Sequence, residues 1–266
     1  MGESWWEFIT SELRQARIRA GLSQEELAKR INYSASHVSG VETGQRPPKA
    51  DFLAAMDEAL GTGGMFGRML RRASLVEGAP PWMRAWIDNE REAVLLRWYE
   101  PAYVPGILQT KAYARMTLSD SLLNAEEIEQ RVASRLGRQV ILTQEHPCQV
   151  VAVLDVMVLR RPLKGHPELM GEQLAHLVKA AELPHVQILV VPEEAGLYPA
   201  LQGGFILATL GDSAVVAYLD HQVRAQVANQ ADDIASLQRQ WEAVRGEALS
   251  RRQSLELIKE AAQTWT

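Results

Sequence analysis

The chain is 266 residues long, with 47% apolar and 23% charged residues, which suits two globular domains with full cores and excludes a disordered or fibrous chain. Its net charge of −5 is uneven: residues 1–76 carry ten Lys and Arg against nine Asp and Glu, net +1, and the remainder is acidic at −6, a charge that repels nucleic acid. No apolar run is long enough to span a membrane, Met1–Trp6 has neither the basic start nor the apolar stretch of a secretory signal, and a single Cys148 excludes an internal disulfide, so a cytoplasmic protein is expected.

From Trp5 to Ala20 the apolar residues Ile9, Leu13, Ala16 and Ala20 recur at three and four, which predicts a helix stopped by Gly21. Ser23 opens a second helix and forms a capping box with Glu26, in which each side chain satisfies a backbone N–H of the other. Leu27 and Ile31 form its inner side. Asn32-Tyr33 makes a turn, and Ser34 caps a third helix whose Val38 and Val41 face inward. Thr43-Gly44 closes that helix, and Pro47-Pro48 blocks any continuation.

Two short helices joined by a tight turn are the unit that places one helix in a DNA major groove. On that reading the start of the third helix meets base edges. Ala35 is short enough to touch a thymine methyl, Ser36 donates or accepts, His37 donates to a guanine acceptor, and Ser39 shares their outer face. Gln24, Ser34, Arg46 and Lys49 are placed to hold phosphates. A net charge of +1 is low for a nucleic-acid binder, so a homodimer on a two-part double-stranded operator is expected. A helical bundle without a DNA role, or a helix-turn-helix reused for protein binding, are the competing readings.

The runs Gly21–Ala28, Tyr33–Val38 and Val41–Gly44 resemble the lambda-repressor-like, or Xre, helix-turn-helix family over about residues 5–60. The resemblance implies an ion pair between Arg17 and Glu42. Gly40 departs from it, standing where many members carry a longer polar or basic residue that reaches DNA.

Asp51–Leu60, with Phe52, Leu53 and Met56, predicts a fourth helix, and Met65–Ala73 a short fifth. These place a helix-turn-helix domain at 1–76, a linker at 77–83 around Pro80-Pro81, and a second domain at 84–266. In the second domain Trp82–Trp98 reads as a helix, Pro105-Gly106 as the centre of a type II turn, and Thr110 and Asn124 as helix caps. The stripe Ile128, Val132, Leu136 and Val140 predicts a helix to about Thr143. Gln149–Leu159, Val186–Pro192, Gly204–Leu210 and Ala214–Leu219 read as strands, the last two joined by a hairpin at Gly211-Asp212-Ser213. Helices are expected at Glu168–Glu182, 231–246 and 248–263. The fold class is an N-terminal all-α helix-turn-helix bundle plus a C-terminal α+β domain with a small mixed or antiparallel sheet.

No enzymatic constellation stands out. His146 and Cys148 share a side of an extended segment with Asp155 beyond, but a lone Cys beside a strand is more simply a small core residue. The six histidines show no metal-ligand spacing, and Gly203-Gly204 lacks a phosphate-loop context, so neither metal nor cofactor is expected. Trp98, Tyr99, Tyr103, Pro105 and Gln109 have two readings: an aromatic-rimmed pocket or docking groove for a ligand or partner, or a packing corner with a rigid turn. Arg160-Arg161 reads as a solvated strand end. The stripe Ile234, Leu237, Trp241, Val244 and Ala248 suits a cover for the sheet better than a dimer seam.

The segments Val104–Thr110 with Tyr113-Ala-Arg115, then Arg135 with Arg138-Gln139 and Ile141-Leu142, Gln173-Leu174, and Val190-Val-Pro192 with Gly196 resemble the C-terminal domain of WhiJ-like regulators, over roughly residues 85–262. Ile107, where Leu is usual, and Asp155, near a usual Glu, depart from the pattern. These are actinobacterial, antitoxin-like helix-turn-helix proteins. The resemblance implies control of transcription in development or secondary metabolism, and a small acidic partner protein encoded nearby.

Overall fold

A computed structural model describes residues 5–79, 81–119, 123–163, 165–220 and 225–265. The chain divides into two compact units, Met1–Glu77 and Gly78–Thr266.

The first unit is a bundle of α1 (Trp5–Arg19), α2 (Gln24–Arg30), α3 (Ala35–Glu42), α4 (Ala50–Leu60) and α5 (Met65–Glu77). Ile9, Leu13, Leu27, Val38, Phe52 and Phe66 meet in its core. Ala20, expected on the inner face, lies past the end of α1 and is exposed. The capping box forms: Ser23 N donates to Glu26 Oε2 at 2.7 Å and Glu26 N to Ser23 Oγ at 3.1 Å. Asn32 makes the turn between α2 and α3 at φ +58°, a left-handed conformation that Asn tolerates. Asp57 near the end of α4 accepts from Phe66 N and Gly67 N, at 2.9 and 2.8 Å, so its carboxylate satisfies amides that open α5. That helix runs past Ala73 because no breaker precedes Gly78.

The second unit opens with α6 (Pro81–Glu92) and β1 (Ala93–Glu100). A 3-10 turn (Gly106–Leu108), α7 (Lys111–Ser119), α8 (Ala125–Gly137) and a further 3-10 turn (Arg138–Leu142) lead to β2 (Gln149–Asp155). Next come α9 (Val156–Arg160), α10 (Pro167–Ala180), β3 (Val186–Val191), β4 (Phe205–Leu210), β5 (Val215–Leu219) and β6 (Gln226–Ala228). The chain closes with α11 (Ala231–Glu247) and α12 (Arg251–Gln263). The sheet has six strands in the order β3-β2-β1-β4-β5-β6. It is mixed: β1, β2 and β3 are parallel, and β4, β5 and β6 continue antiparallel from the other side of β1. One face packs Leu96, Trp98, Ala152, Leu154, Ile206 and Tyr218 among Trp86, Leu174 and Ile258 of the helices. The other packs Tyr99, Val153, Leu189 and Leu207 under Ile234, Leu237, Trp241 and Val244 of α11, so that stripe covers the sheet.

Five local expectations change. The helix read through Trp98 ends at Glu92, and residues 93–100 form a central strand. The spacing of Trp86, Ala93 and Leu96 fits a helix, but pairing on both edges with β2 and β4 decides for the strand. The strand read to Leu159 stops at Asp155, whose carboxylate accepts from Met157 N at 2.7 Å and caps α9. The stripe expected through Val140 tightens into a 3-10 turn after Gly137, which leaves Val140 exposed. Gly106 begins a 3-10 turn, with Leu108 N donating to Pro105 O at 2.8 Å, and does not take the positive φ of a type II turn. Residues 81–83 of the expected 77–83 linker already belong to α6.

Candidate nucleic-acid interface and second-domain cavity

Glu42, at the end of α3, ties three helices together. Arg17 of α1 donates to it through Nε at 2.7 Å and Nη2 at 2.9 Å, and Gln24 of α2 donates through Nε2 at 2.8 Å. Arg17 Nη1 also caps the turn at Leu22 O, 2.7 Å away. The Glu42 hydrogen bond is the chief influence holding the Arg17 pKa above its ordinary value. The bidentate Arg17 clamp fixes α3 against α1, and the Gln24 hydrogen bond, which commits one of its N–H groups, adds α2.

On the far end of α3, Ser34 Oγ accepts from His37 N at 3.1 Å and lies 3.0 Å from Ser36 Oγ. Ser34 and Ser36 are exposed, and Ser39 is half-buried. Ala35 packs partly against the bundle core. Gly44, at φ +73°, turns the chain back after α3, so that Arg46 N donates to Gly40 O at 2.9 Å. The Arg46 side chain then returns to the start of α3, where Nη1 donates to His37 Nδ1 at 2.7 Å. A guanidinium can only donate, so Nδ1 is the acceptor and the His37 proton sits on Nε2. Burial, then the Arg46 charge, depresses the His37 pKa. The imidazole is stacked on Phe52, with ring centroids 5.2 Å apart, and meets the Tyr33 ring at 4.8 Å. It is therefore a neutral, oriented donor. Lys49 is exposed just before α4. The Arg46–His37 contact and the Phe52 stack depend on the return turn and were invisible in the sequence pattern.

In the second unit Trp98, Tyr103 and Gln109 line a cavity of about 290 Å³. Tyr99 and Pro105 do not line it. Tyr99 faces the other side of the sheet and donates to Tyr198 Oη at 3.0 Å, and Tyr198 donates to Asp155 at 2.6 Å. Pro105 is buried at the head of the 3-10 turn. The cavity instead recruits Glu100, Arg135, Tyr218 and Asp220, which the aromatic pattern did not single out. Glu100 Oε1 accepts from Trp98 Nε1 at 3.0 Å. Burial pushes the Glu100 carboxyl up to about 7, with Asp220 adding to the rise and Trp98 and Arg135 opposing it. Burial, then the Arg138 charge, pushes Arg135 down to about 10. Gly204 closes one side, where a Cβ would lie 2.8 Å from Glu100 Oε2 and 2.9 Å from Tyr99 O. Arg138, which also lines the cavity, forms a buried bidentate pair with Glu90, at 2.6 and 2.7 Å, and Trp86 Nε1 donates to the same carboxylate at 3.1 Å.

Cys148 is buried and burial pushes its thiol up to about 12, the behaviour of a core residue rather than a nucleophile. Arg160 ends α9, not a strand, and pairs with Glu193. Among the described residues no group of three or more His, Cys, Asp or Glu is placed to hold a metal, and no helix is long and apolar enough to cross a membrane.

Residues 9–65 match a helix-turn-helix domain, the segment that carries α2, α3 and the Glu42 clamp. No curated protein and no solved structure matches the chain. Residues 83–260, more than half of the chain, match a family described as a domain of unknown function (DUF5753), and the chain belongs to that family.

Proposed function

We propose that the protein is a cytoplasmic, sequence-specific transcriptional regulator whose helix-turn-helix domain binds operator DNA as a homodimer and whose second domain receives a signal that shifts operator affinity. The observation that carries this reading is the start of α3. It presents exposed Ser36, a neutral His37 held by Arg46 with Nε2–H as donor, and exposed Arg46 and Lys49 beside them. Ser36 and His37 read base edges, His37 donating to a guanine acceptor. Gln24, Ser34, Arg46 and Lys49 position the domain on phosphates, with Gln24 using the N–H that Glu42 leaves over. The likeness to Xre and WhiJ-like regulators supports a signal delivered by a small acidic protein encoded nearby, and the cavity of the second domain supports a small ligand as the alternative signal.

Gel-shift and footprinting on the DNA upstream of its own gene test this. A salt-sensitive, sequence-selective complex is expected, and its absence overturns the DNA reading. The Ser36→Ala, His37→Ala double variant should fold normally and lose about 1–3 kcal/mol of operator discrimination per lost base contact. Unchanged selectivity removes both residues from the reading surface.

The net charge of only +1 on residues 1–76 favours a second reading, an antitoxin-like module whose main role is to bind its partner protein. A tight partner complex that forms equally with residues 1–76 deleted, without DNA binding by the full chain, would establish it.

A further inference from the structure

Four arginines can be compared by the edge of the guanidinium that their neighbours occupy. Arg17, Arg115 and Arg138 each present the Nε and Nη2 edge to a carboxylate, those of Glu42, Glu129 and Glu90. That edge is the fork that matches two carboxylate oxygens. Arg135 does the reverse. Its Nη1 donates to Gln109 Oε1 at 2.8 Å and to Thr117 Oγ1 at 3.2 Å, and its Nε and Nη2 meet no carboxylate among the described residues. The orientation is enforced from behind: Gln109 is buried and anchors its own amide by donating to Val104 O at 2.7 Å.

Arg135 lines the second-domain cavity, and so does Tyr218, which is 3% exposed and whose hydroxyl has no hydrogen-bond partner among the described residues. A buried hydroxyl left unpaired is costly, and its ring is held against Trp86 at 5.3 Å. An unmatched guanidinium fork and an unmatched hydroxyl in one cavity both call for an acceptor. Glu100 and Asp220 line the same cavity as acceptors, and Trp98 and Tyr103 supply aromatic surface. The volume of about 290 Å³ is at the small end for ligand sites.

We propose that this cavity binds a small amino or hydroxy acid, whose carboxylate takes the free Nε and Nη2 edge of Arg135 and the hydroxyl of Tyr218 while its amino or hydroxyl group donates to Glu100 or Asp220. The inference rests on the reading of the second domain as the one that receives a signal, and names a chemical class for that signal.

Calorimetric titration of the full chain with three matched probes tests it: L-phenylalanine and 3-phenyllactate, which carry both ends, and L-phenylalaninamide, which lacks the carboxylate. At least one of the first two should bind, with the amide at least about tenfold weaker. Arg135→Gln should weaken that binding by about tenfold or more, and Arg115→Gln, which loses an exposed pair with Glu129, should leave it unchanged. Should Arg135→Gln fold poorly, Tyr218→Phe keeps the ring and removes only the hydroxyl; several-fold weaker carboxylate binding is expected, whereas a packing role alone leaves it unmoved. No binding by any probe, equal binding of the amide, or full binding by both variants overturns the proposal. A gel shift on the same preparations separates the two ideas: loss of carboxylate binding with operator binding intact sinks only the ligand, and the converse sinks only the DNA reading.

Discussion

The two units put their polar chemistry in opposite places. In the first, the ionic groups that are buried serve geometry. Glu42 gathers Arg17 and Gln24 and thereby leaves the start of α3 free to face outward. In the second, charged and hydrogen-bonding groups gather inside, around one face of the sheet, where Glu90 and Arg138 satisfy each other and Arg135 beside them meets no carboxylate among the described residues. The contrast lies in where polar groups are available: on the outward face of α3 in the first unit, and around a small enclosed volume in the second.

The sharpest test of that contrast is Glu90→Gln. Glu90 and Arg138 are 1% and 6% exposed, and removing one charge strands the other in a low-dielectric interior. A loss of about 3–5 kcal/mol in denaturant unfolding is expected. Hydrogen exchange should quicken in β1 and β2 and not in α1 to α3. Replacing both residues by apolar ones of similar size should recover most of the loss. Equal loosening of α1 to α3 would break the division of labour drawn above.

Glu42→Gln probes the first unit in the same way, with a smaller expected effect. The amide cannot offer Arg17 two anionic oxygens, and a hydrogen bond to a charged group contributes about 1.5–3 kcal/mol. Arg17 and Glu42 side chains are 11% and 3% exposed, so solvent replaces little of the loss. The melting temperature should fall, and operator affinity should fall with it because α3 is no longer clamped to α1. A fall in stability with unchanged affinity would show that the clamp holds the bundle without setting the reading geometry.

The two units also differ in how much of them the sequence disclosed. In the first, the caps that open α2 and α3 span three residues, so Ser23 with Glu26 and Ser34 with the start of α3 were readable from local pattern, whereas Asp57 reaches the start of α5 across nine and ten residues and was not. Arg17 with Glu42 spans 25 residues and came only with a family resemblance. In the second, β1 was misread because its apolar spacing fits two periods, and only its neighbours on both edges decide. The cavity was half legible. Trp98, Tyr103 and Gln109 stood out as an aromatic and polar run, but Tyr99 falls on the opposite face by strand alternation. Arg135 and Tyr218 reach the cavity from α8 and β5, elements brought together by tertiary packing that no local spacing encodes.

The smallest expected effect is the most direct test of whether the outward face of α3 is kept open at a cost. Gly40 sits inside α3 with ordinary helical φ, where glycine is less favourable than alanine by about 1 kcal/mol. A Cβ there would meet only Arg46 Cβ at 3.7 Å, an ordinary contact, so no clash offsets the gain. Gly40→Ala should therefore stabilise the first unit by up to about 1 kcal/mol in denaturant unfolding. The same methyl stands beside the Arg46 turn that orients His37, so operator discrimination is the second readout. Greater stability with unchanged discrimination would mean that Gly40 is tolerated rather than required. Greater stability with weaker discrimination would mean that the close approach of DNA to α3 uses the missing side chain, and that the reading surface is held open against the stability of its own helix.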